Sequence, residues 1–407
     1  MNKKFFFVTL IFVFIFFIFI SLRSVKQSWM VDLKANITAA DNLLQSKELY
    51  YFKPYNGGFT YLPAVSVLYM PARFINKEFG IETAKIIWTL FNICLVFVSL
   101  IILRNAGCFK NKTNFSILLF VIIFIFFRPL YDNIRYGNIK IVLLTLYLLL
   151  FQFREKDGLS GIIWGILVVL SVQPVLLSPY FIFRRKFKTV FYAALTFFGI
   201  VLMSLIIVPY SEYVLYFTEV IPQLQFEGAS SAPYIQSFDA MCRRLFLAYN
   251  EYTIELLHSP FLAVKFPVII KSFFFLLTIF VLYLRRRLPD ADYFQFSIMF
   301  ICMILMHSIN WEYHYTIVLT AVAVYYKNND FISEFFKVFR KSPKSCPQKK
   351  DKTDLLFLIF CSLIFFYYPY DHKFFLRGFP VVFTNLKLFA LTGIYGIFLF
   401  KLLSRNS

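Results

Sequence analysis

Long apolar blocks separated by short basic ones run the length of this chain. Phe5 to Ile20 and Ser272 to Leu284 approach the roughly 20 residues that a spanning helix needs. The pattern predicts spans at 4–22, 82–103, 115–130, 138–153, 189–209, 262–284, 293–309, 314–326, 355–369 and 381–400. Gly161 to Phe183 differs, with basic groups at both ends and Gln173-Pro174 in the middle. Two short helices meeting at Pro174, a broken hairpin, keep both basic clusters on one side. The expected fold is therefore an all-α polytopic membrane protein of about 11–12 transmembrane helices.

The polar segments predict a single transmembrane domain over 1–407 with three notable loops. The first outer loop, 23–81, carries two short apolar elements. Asn36 to Gln45 places Ile37, Ala40, Leu43 and Leu44 at helical spacing, and Tyr61 to Phe74 is interrupted by Pro63 and Pro71. Both fit helices lying along the interface. A second outer loop is expected over 211–260. The basic cytoplasmic loop, 327–354, carries Phe331, Phe335, Phe336 and Phe339 among Lys and Arg. It reads either as an amphipathic surface helix or as a solvated linker. Residues 1–22 resemble a signal peptide, but the run is long and Ser21-Leu22-Arg23 lacks a small-x-small cleavage site, so an uncleaved first helix is expected.

Composition agrees with the hydropathy pattern. The chain is 59% hydrophobic and only 16% charged, with a mean hydropathy of +0.68. A formal charge of +20 first suggests nucleic acid. However, about 24 of the 42 basic residues fall in the loops assigned to the cytoplasm, as the positive-inside rule requires. The charge orients the chain and attracts anionic lipids, and no nucleic-acid partner is expected. Both termini are placed in the cytoplasm. The cysteines at 94, 108, 242, 302, 346 and 361 show no metal spacing, and neither a metal nor another cofactor is expected.

Candidate chemistry concentrates in two places. His307-Ser-Ile-Asn-Trp-Glu-Tyr-His-Tyr315 holds two of the four histidines at the end of an apolar run, where polar groups are costly unless they line a polar cavity. Asp32 lies in the first outer loop just beyond helix 1. Arg135 and Lys140 flank Gly137 at the outer end of a span, and Arg243-Arg244 follows Gln236-Ser237; these are candidate phosphate binders.

A resemblance joins these segments. Val31-Asp32-Leu33, Ala39-Ala40-Asp41-Asn42-Leu43-Leu44, Glu48-Leu49-Tyr50 and Phe59-Thr60-Tyr61-Leu62-Pro63 resemble the opening of glycosyltransferase family 87. Tyr136-Gly137-Asn138, Gln173-Pro174, Gln236-Ser237 and Ile309-Asn310-Trp311-Glu312-Tyr313-His314 resemble later motifs in the same order. The resemblance implies a GT-C-like bundle, a polyprenyl-phosphate-sugar donor, and a lipid or glycan hydroxyl as acceptor. It implies a hexosyltransferase of a bacterial inner membrane, with mannose as one candidate sugar, acting at the outer face. It also makes Asp32 the catalytic carboxylate. His314, Glu312, Trp311, Asn310, Asn138 and Gln173 become substrate-binding candidates beside Arg135, Lys140, Arg243 and Arg244.

Departures from the family pattern at Asn138, Lys140, Gln173 and Tyr313 leave the sugar, acceptor and activity open. Bland readings stand beside these roles. Asp32 could cap the Asn36 helix, Trp311 could be an interfacial belt residue, His307 and His314 packing histidines, and Arg135 and Lys140 headgroup partners. A transporter or flippase of lipid-linked sugars is one alternative function, although only one interrupted helix is found. A glycan polymerase or ligase is another.

Overall fold

A computed structural model of the chain describes residues 2–50, 58–226, 235–247, 257–286, 292–333, 349–365 and 384–404. Among these residues every named element is helical, and extended pairing is confined to an isolated bridge between Ile235 and Trp311. Six helices are long and apolar enough to cross a membrane, and four shorter apolar helices accompany them. The chain is an all-α, multi-pass membrane protein. Large side chains such as Phe12, Phe198 and Phe273 remain exposed on these helices, as expected of surfaces solvated by lipid tails.

Two compact units divide the described chain: one of Phe7–Asn105 with Leu130–Gly228, the other of Met1–Phe6, Ala106–Pro129 and Ala229–Ser407. The first unit follows α1 (Lys3–Gln27) with α2 (Val31–Leu44), α3 (Ala64–Leu68) and α4 (Met70–Phe79). α2 rests on α3 and α4, and Arg73 pairs with Asp41 at 2.8 Å across that contact. Next come α5 (Ile81–Asn105), α6 (Asn114–Ile125), which belongs to the second unit, α7 (Arg128–Tyr136), α8 (Lys140–Phe153) and α9 (Asp157–Leu170). α10 (Ser178–Phe183) and α11 (Phe187–Ser204) complete the spans of the first unit, followed by α12 (Tyr210–Leu215) and α13 (Ile221–Phe226). α9 packs closely on α11 because Gly161 and Gly165 present no side chain. A Cβ on either would lie 2.6 Å from a backbone oxygen of α11.

The second unit contains α14 (Phe238–Phe246), α15 (Pro260–Arg285), α16 (Asp292–Leu305), α17 (Leu319–Asn328), α18 (Lys349–Phe365) and α19 (Leu386–Leu403). α16 is buried along nearly its whole length and packs on α15, α17 and α19, forming this unit's core.

The observed boundaries refine several expectations. The interfacial helix expected at Asn36 begins at Val31, which puts Asp32 in its first turn. Tyr61 to Phe74 forms two short helices, each with a proline at its start, where a missing N–H costs nothing. The span expected at 115–130 breaks after Ile125 and restarts as the polar α7 at Arg128-Pro129. The broken hairpin is observed: α9 ends at Leu170, Ser171 is extended, and a 3-10 turn from Gln173 to Leu177 leads into α10. Trp164 Nε1 donates to Pro174 O at 2.7 Å and pins the break. The span expected at 314–326 starts as a 3-10 segment, Glu312–Val318, before α17. Phe331 is buried, whereas Phe335, Phe336 and Phe339 lie outside the described residues. Parts of the 211–260 loop (227–234 and 248–256), residues 366–369 of the 355–369 span, and residues 381–383 at the start of the last span also lie outside them.

Candidate active site

Met30 enters α2 in the left-handed region (φ 41°), so the helix turns abruptly out of α1. Gly137, at φ 70°, lies against that turn, and a Cβ there would sit 2.7 Å from Leu33 Cβ. Only glycine satisfies both demands. The close approach brings Asn138 to Asp32, and Asn138 Nδ2 donates to Asp32 Oδ2 at 2.7 Å. The same nitrogen lies 3.2 Å from Tyr61 Oη, while Asn138 Oδ1 accepts from Lys140 N at 3.1 Å. These contacts fix which way the amide points.

Asp32 is partly exposed, and Lys140, buried at the head of α8, lies within electrostatic range of it. Tyr61 and Tyr69 line the same region. Burial raises the Tyr61 phenol well above its ordinary range, with the Tyr69 and Asp32 charges adding to the shift. Burial followed by the Asp32 charge raises Tyr69. Both stay neutral and keep their protons as hydrogen-bond donors. Arg135 projects from the last turn of α7 with 44% of its side chain exposed, 3.9 Å from Asp132. Gln173 is half-buried at the start of the 3-10 turn in the hairpin.

The second candidate cluster lies in the other unit and is stitched together from sequence-distant pieces. Gln236 N donates to Asn310 O at 2.8 Å, and Tyr315 Oη donates to Gln236 O at 3.0 Å. Ser237 caps α14 through Ala240 N and donates its hydroxyl to Ser308 O at 2.6 Å. Lys271 pairs with Asp239 at 2.9 Å and reaches Ser308 Oγ at 3.1 Å. Arg243 is half-buried. Arg244 is fully buried, and its guanidinium donates twice to Ile235 O and once to Asn385 Oδ1. That geometry places Arg244 in the scaffold of the cluster, because its donors are directed at the backbone that carries Gln236.

Glu312 opens the 3-10 segment and pairs with Lys387 at 3.1 Å; its other oxygen is buried with no hydrogen-bond partner. Trp311 and Tyr313 stack with centroids 5.9 Å apart. His314 Nδ1 faces Ile309 O at 3.0 Å, so that nitrogen carries the proton. His307 Nδ1 instead accepts from Ile309 N at 3.0 Å. The two ring centroids lie 5.2 Å apart, and their Nδ1 atoms make opposite contacts with Ile309, His314 facing its oxygen and His307 accepting from its nitrogen.

Sequence reasoning gave no role to Lys387, Lys271 or Tyr61. A lone lysine at the head of the last apolar block was a usable signal, since intramembrane charge is costly. Among the described residues, no group of three or more His, Cys, Asp or Glu side chains could hold a metal ion.

Comparison with known proteins places the chain in a family. The profile described as glycosyltransferase family 87 matches residues 59–308. A Mycobacterium tuberculosis (strain CDC 1551 / Oshkosh) protein described as a polyprenol-phosphate-mannose-dependent alpha-(1-2)-phosphatidylinositol pentamannoside mannosyltransferase is 24% identical over 188 residues. That alignment covers 46% of this chain and 42% of the relative, so the match spans well under half of the relative's length. Asp32 precedes the segment matched by the family profile. The profile itself covers more than half of the chain, from the Tyr61 motif to the Ser308 turn, and the chain is a member of glycosyltransferase family 87.

Proposed function

We propose that this protein transfers a hexose, with mannose the leading candidate, from a polyprenyl-phosphate carrier to a hydroxyl of a lipid or glycan acceptor. The reaction takes place at the outer face of a bacterial inner membrane, with both termini in the cytoplasm. The observation that carries the reading is the oriented carboxylate of Asp32, held by Asn138 at 2.7 Å beside Lys140 and two neutral tyrosines.

Asp32 takes the proton of the acceptor hydroxyl as that oxygen bonds to the anomeric carbon. The bond from that carbon to the phosphate oxygen breaks, and polyprenyl phosphate leaves with the electron pair. A phosphate leaving group is a stable anion and needs no acid, so one carboxylate suffices. Lys140 and Arg135 offer positive charge to a phosphate. Within the other unit, and as a separate set of proposed contacts, Glu312 and Asn310 offer acceptors to hydroxyls, His314 offers an imidazole, and Trp311 offers a stacking face. Gln173 and Arg243 remain substrate contacts in this reading.

Asp32→Asn tests it, with Asp41→Asn as the matched control. Asp41 is committed to Arg73 and Gln45. In membranes supplied with a polyprenyl-phosphate hexose, loss of the Asp32 base should slow transfer by about two to four orders of magnitude. The control should stay active. Equal activity of the two variants would remove Asp32 from the mechanism.

A further inference from the structure

Asn138 divides its amide nitrogen between two partners. One hydrogen of Nδ2 goes to Asp32 Oδ2 at 2.7 Å and the other to Tyr61 Oη at 3.2 Å, while Oδ1 is held by Lys140 N. The Tyr61 oxygen is therefore on the receiving side of that contact, and among the described residues nothing receives the phenol's own hydrogen. The residue itself is fixed. Tyr50 Oη donates to Tyr61 O at 2.7 Å, and the Phe59 ring meets the Tyr61 ring edge to face at 5.7 Å. Tyr61 is half-buried, whereas Tyr69, the other phenol near Asp32, is enclosed against Trp88. We propose that Tyr61 is a further catalytic residue, one that donates its phenol hydrogen to the substrate hydroxyl oxygen whose own proton passes to Asp32. This assignment rests on the reading of Asp32 as base.

Spacing selects the attacking oxygen over the departing phosphate. The two hydrogens of one amide nitrogen diverge by about 120°, so Tyr61 Oη and Asp32 Oδ2 stand about 5 Å apart. One oxygen hydrogen-bonded to both at ordinary length bridges a gap of about 4.5–5 Å. Groups that flank a single displacement at an anomeric carbon stand further apart, at about 6.5–9.5 Å. The rest follows from the valence of the oxygen. A hydroxyl has one hydrogen and two lone pairs. With the hydrogen on Asp32 and one lone pair on Tyr61, only the second lone pair is left to attack the anomeric carbon, and its direction is set. As the proton passes to Asp32 and the new carbon–oxygen bond forms, the phenol keeps its own proton and stabilises the charge gathering on the oxygen. Burial, reinforced by the Tyr69 and Asp32 charges, holds that phenol in its protonated form.

The test is transfer kinetics of the full-length protein in membranes supplied with polyprenyl-phosphate mannose. Tyr61→Phe keeps the ring and should lower kcat by about ten- to a hundredfold, with the KM for the sugar donor unchanged because the lost bond lies on the other substrate. Phenylalanine also deprives Asn138 of a partner, so a second variant separates the two roles. Tyr61→difluorotyrosine, fluorinated on both ring carbons beside the hydroxyl, makes the phenol a stronger donor and a weaker acceptor of hydrogen bonds. It should rescue transfer to the wild-type rate or above. A fall toward the Tyr61→Phe rate would mean that Tyr61 only props Asn138, and overturns the proposal. Unchanged kcat in Tyr61→Phe overturns it as well. Asp32→Asn, measured alongside, separates the two readings. An inactive Asp32→Asn beside a fully active Tyr61→Phe sinks the role of Tyr61 alone, whereas an active Asp32→Asn sinks the base and this assignment with it.

Discussion

Lys387 is wholly buried and meets Glu312 at 3.1 Å, joining the first turn of α19 to the Trp311–His314 segment. Removing one partner of a buried ion pair strands the other, at about 3–5 kcal/mol, whereas removing both is far milder. Lys387→Met should therefore lower the thermal midpoint in detergent markedly, and Lys387→Met with Glu312→Gln should recover much of it. A double variant as unstable as the single one would mean the pair is not coupled.

Asn138 is placed to orient Asp32 through its hydrogen bond to Oδ2. A hydrogen bond to a charged group contributes about 1.5–3 kcal/mol, so Asn138→Ala should lower kcat by about one to two orders of magnitude while leaving expression intact. Asn138→Asp would set two carboxylates together, and one would hold a proton at neutral pH. Its activity should then recover as pH rises, a profile that a merely structural role would not produce.

Gly137 is a steric gate for the whole Asp32 arrangement. Gly137→Ala meets both a left-handed backbone and the Leu33 side chain, so either the loop moves or α2 does. Transfer should fall at least tenfold, and Gly107→Ala, at a similar φ but in open space, should leave transfer unchanged. Similar losses in both would point to backbone strain alone.

Topology follows from the basic loops. A reporter fused after Lys47 should read extracytoplasmic and one after Asn329 cytoplasmic. A cytoplasmic reading after Lys47 would remove Asp32 from the outer face, and agreement between the two reporters would overturn the number of spans between them.

The spans were legible because burial in lipid imposes a one-dimensional pattern that hydropathy reads directly. Asp32 and the Asn310–His314 segment stood out as candidates because polar residues at the ends of apolar runs need a reason to be there. The early start of α2 was hidden, since Met30 supplies no capping side chain and owes its conformation to Gly137, over a hundred positions away. The Lys387–Glu312 pair was hidden for a similar reason, because neither residue's neighbours in sequence point to the other. The break at Phe126-Phe127 sits at the end of an apolar run, and its cues were Arg128 and Pro129, which open the restarted helix.

The left-handed turn at Met30 makes the protein's candidate base hang on a spring. A non-glycine residue there costs about 1–2 kcal/mol relative to a relaxed backbone, yet its side chain is wholly buried and cannot be dispensed with. Met30→Gly would slacken the turn and at the same time empty its anchor. The neighbourhood of Asp32 is thus assembled as a cocked latch, shut by Gly137 on one side and by the Met30 side chain on the other. Release of either catch should let the carboxylate drift while the spans around it stay folded.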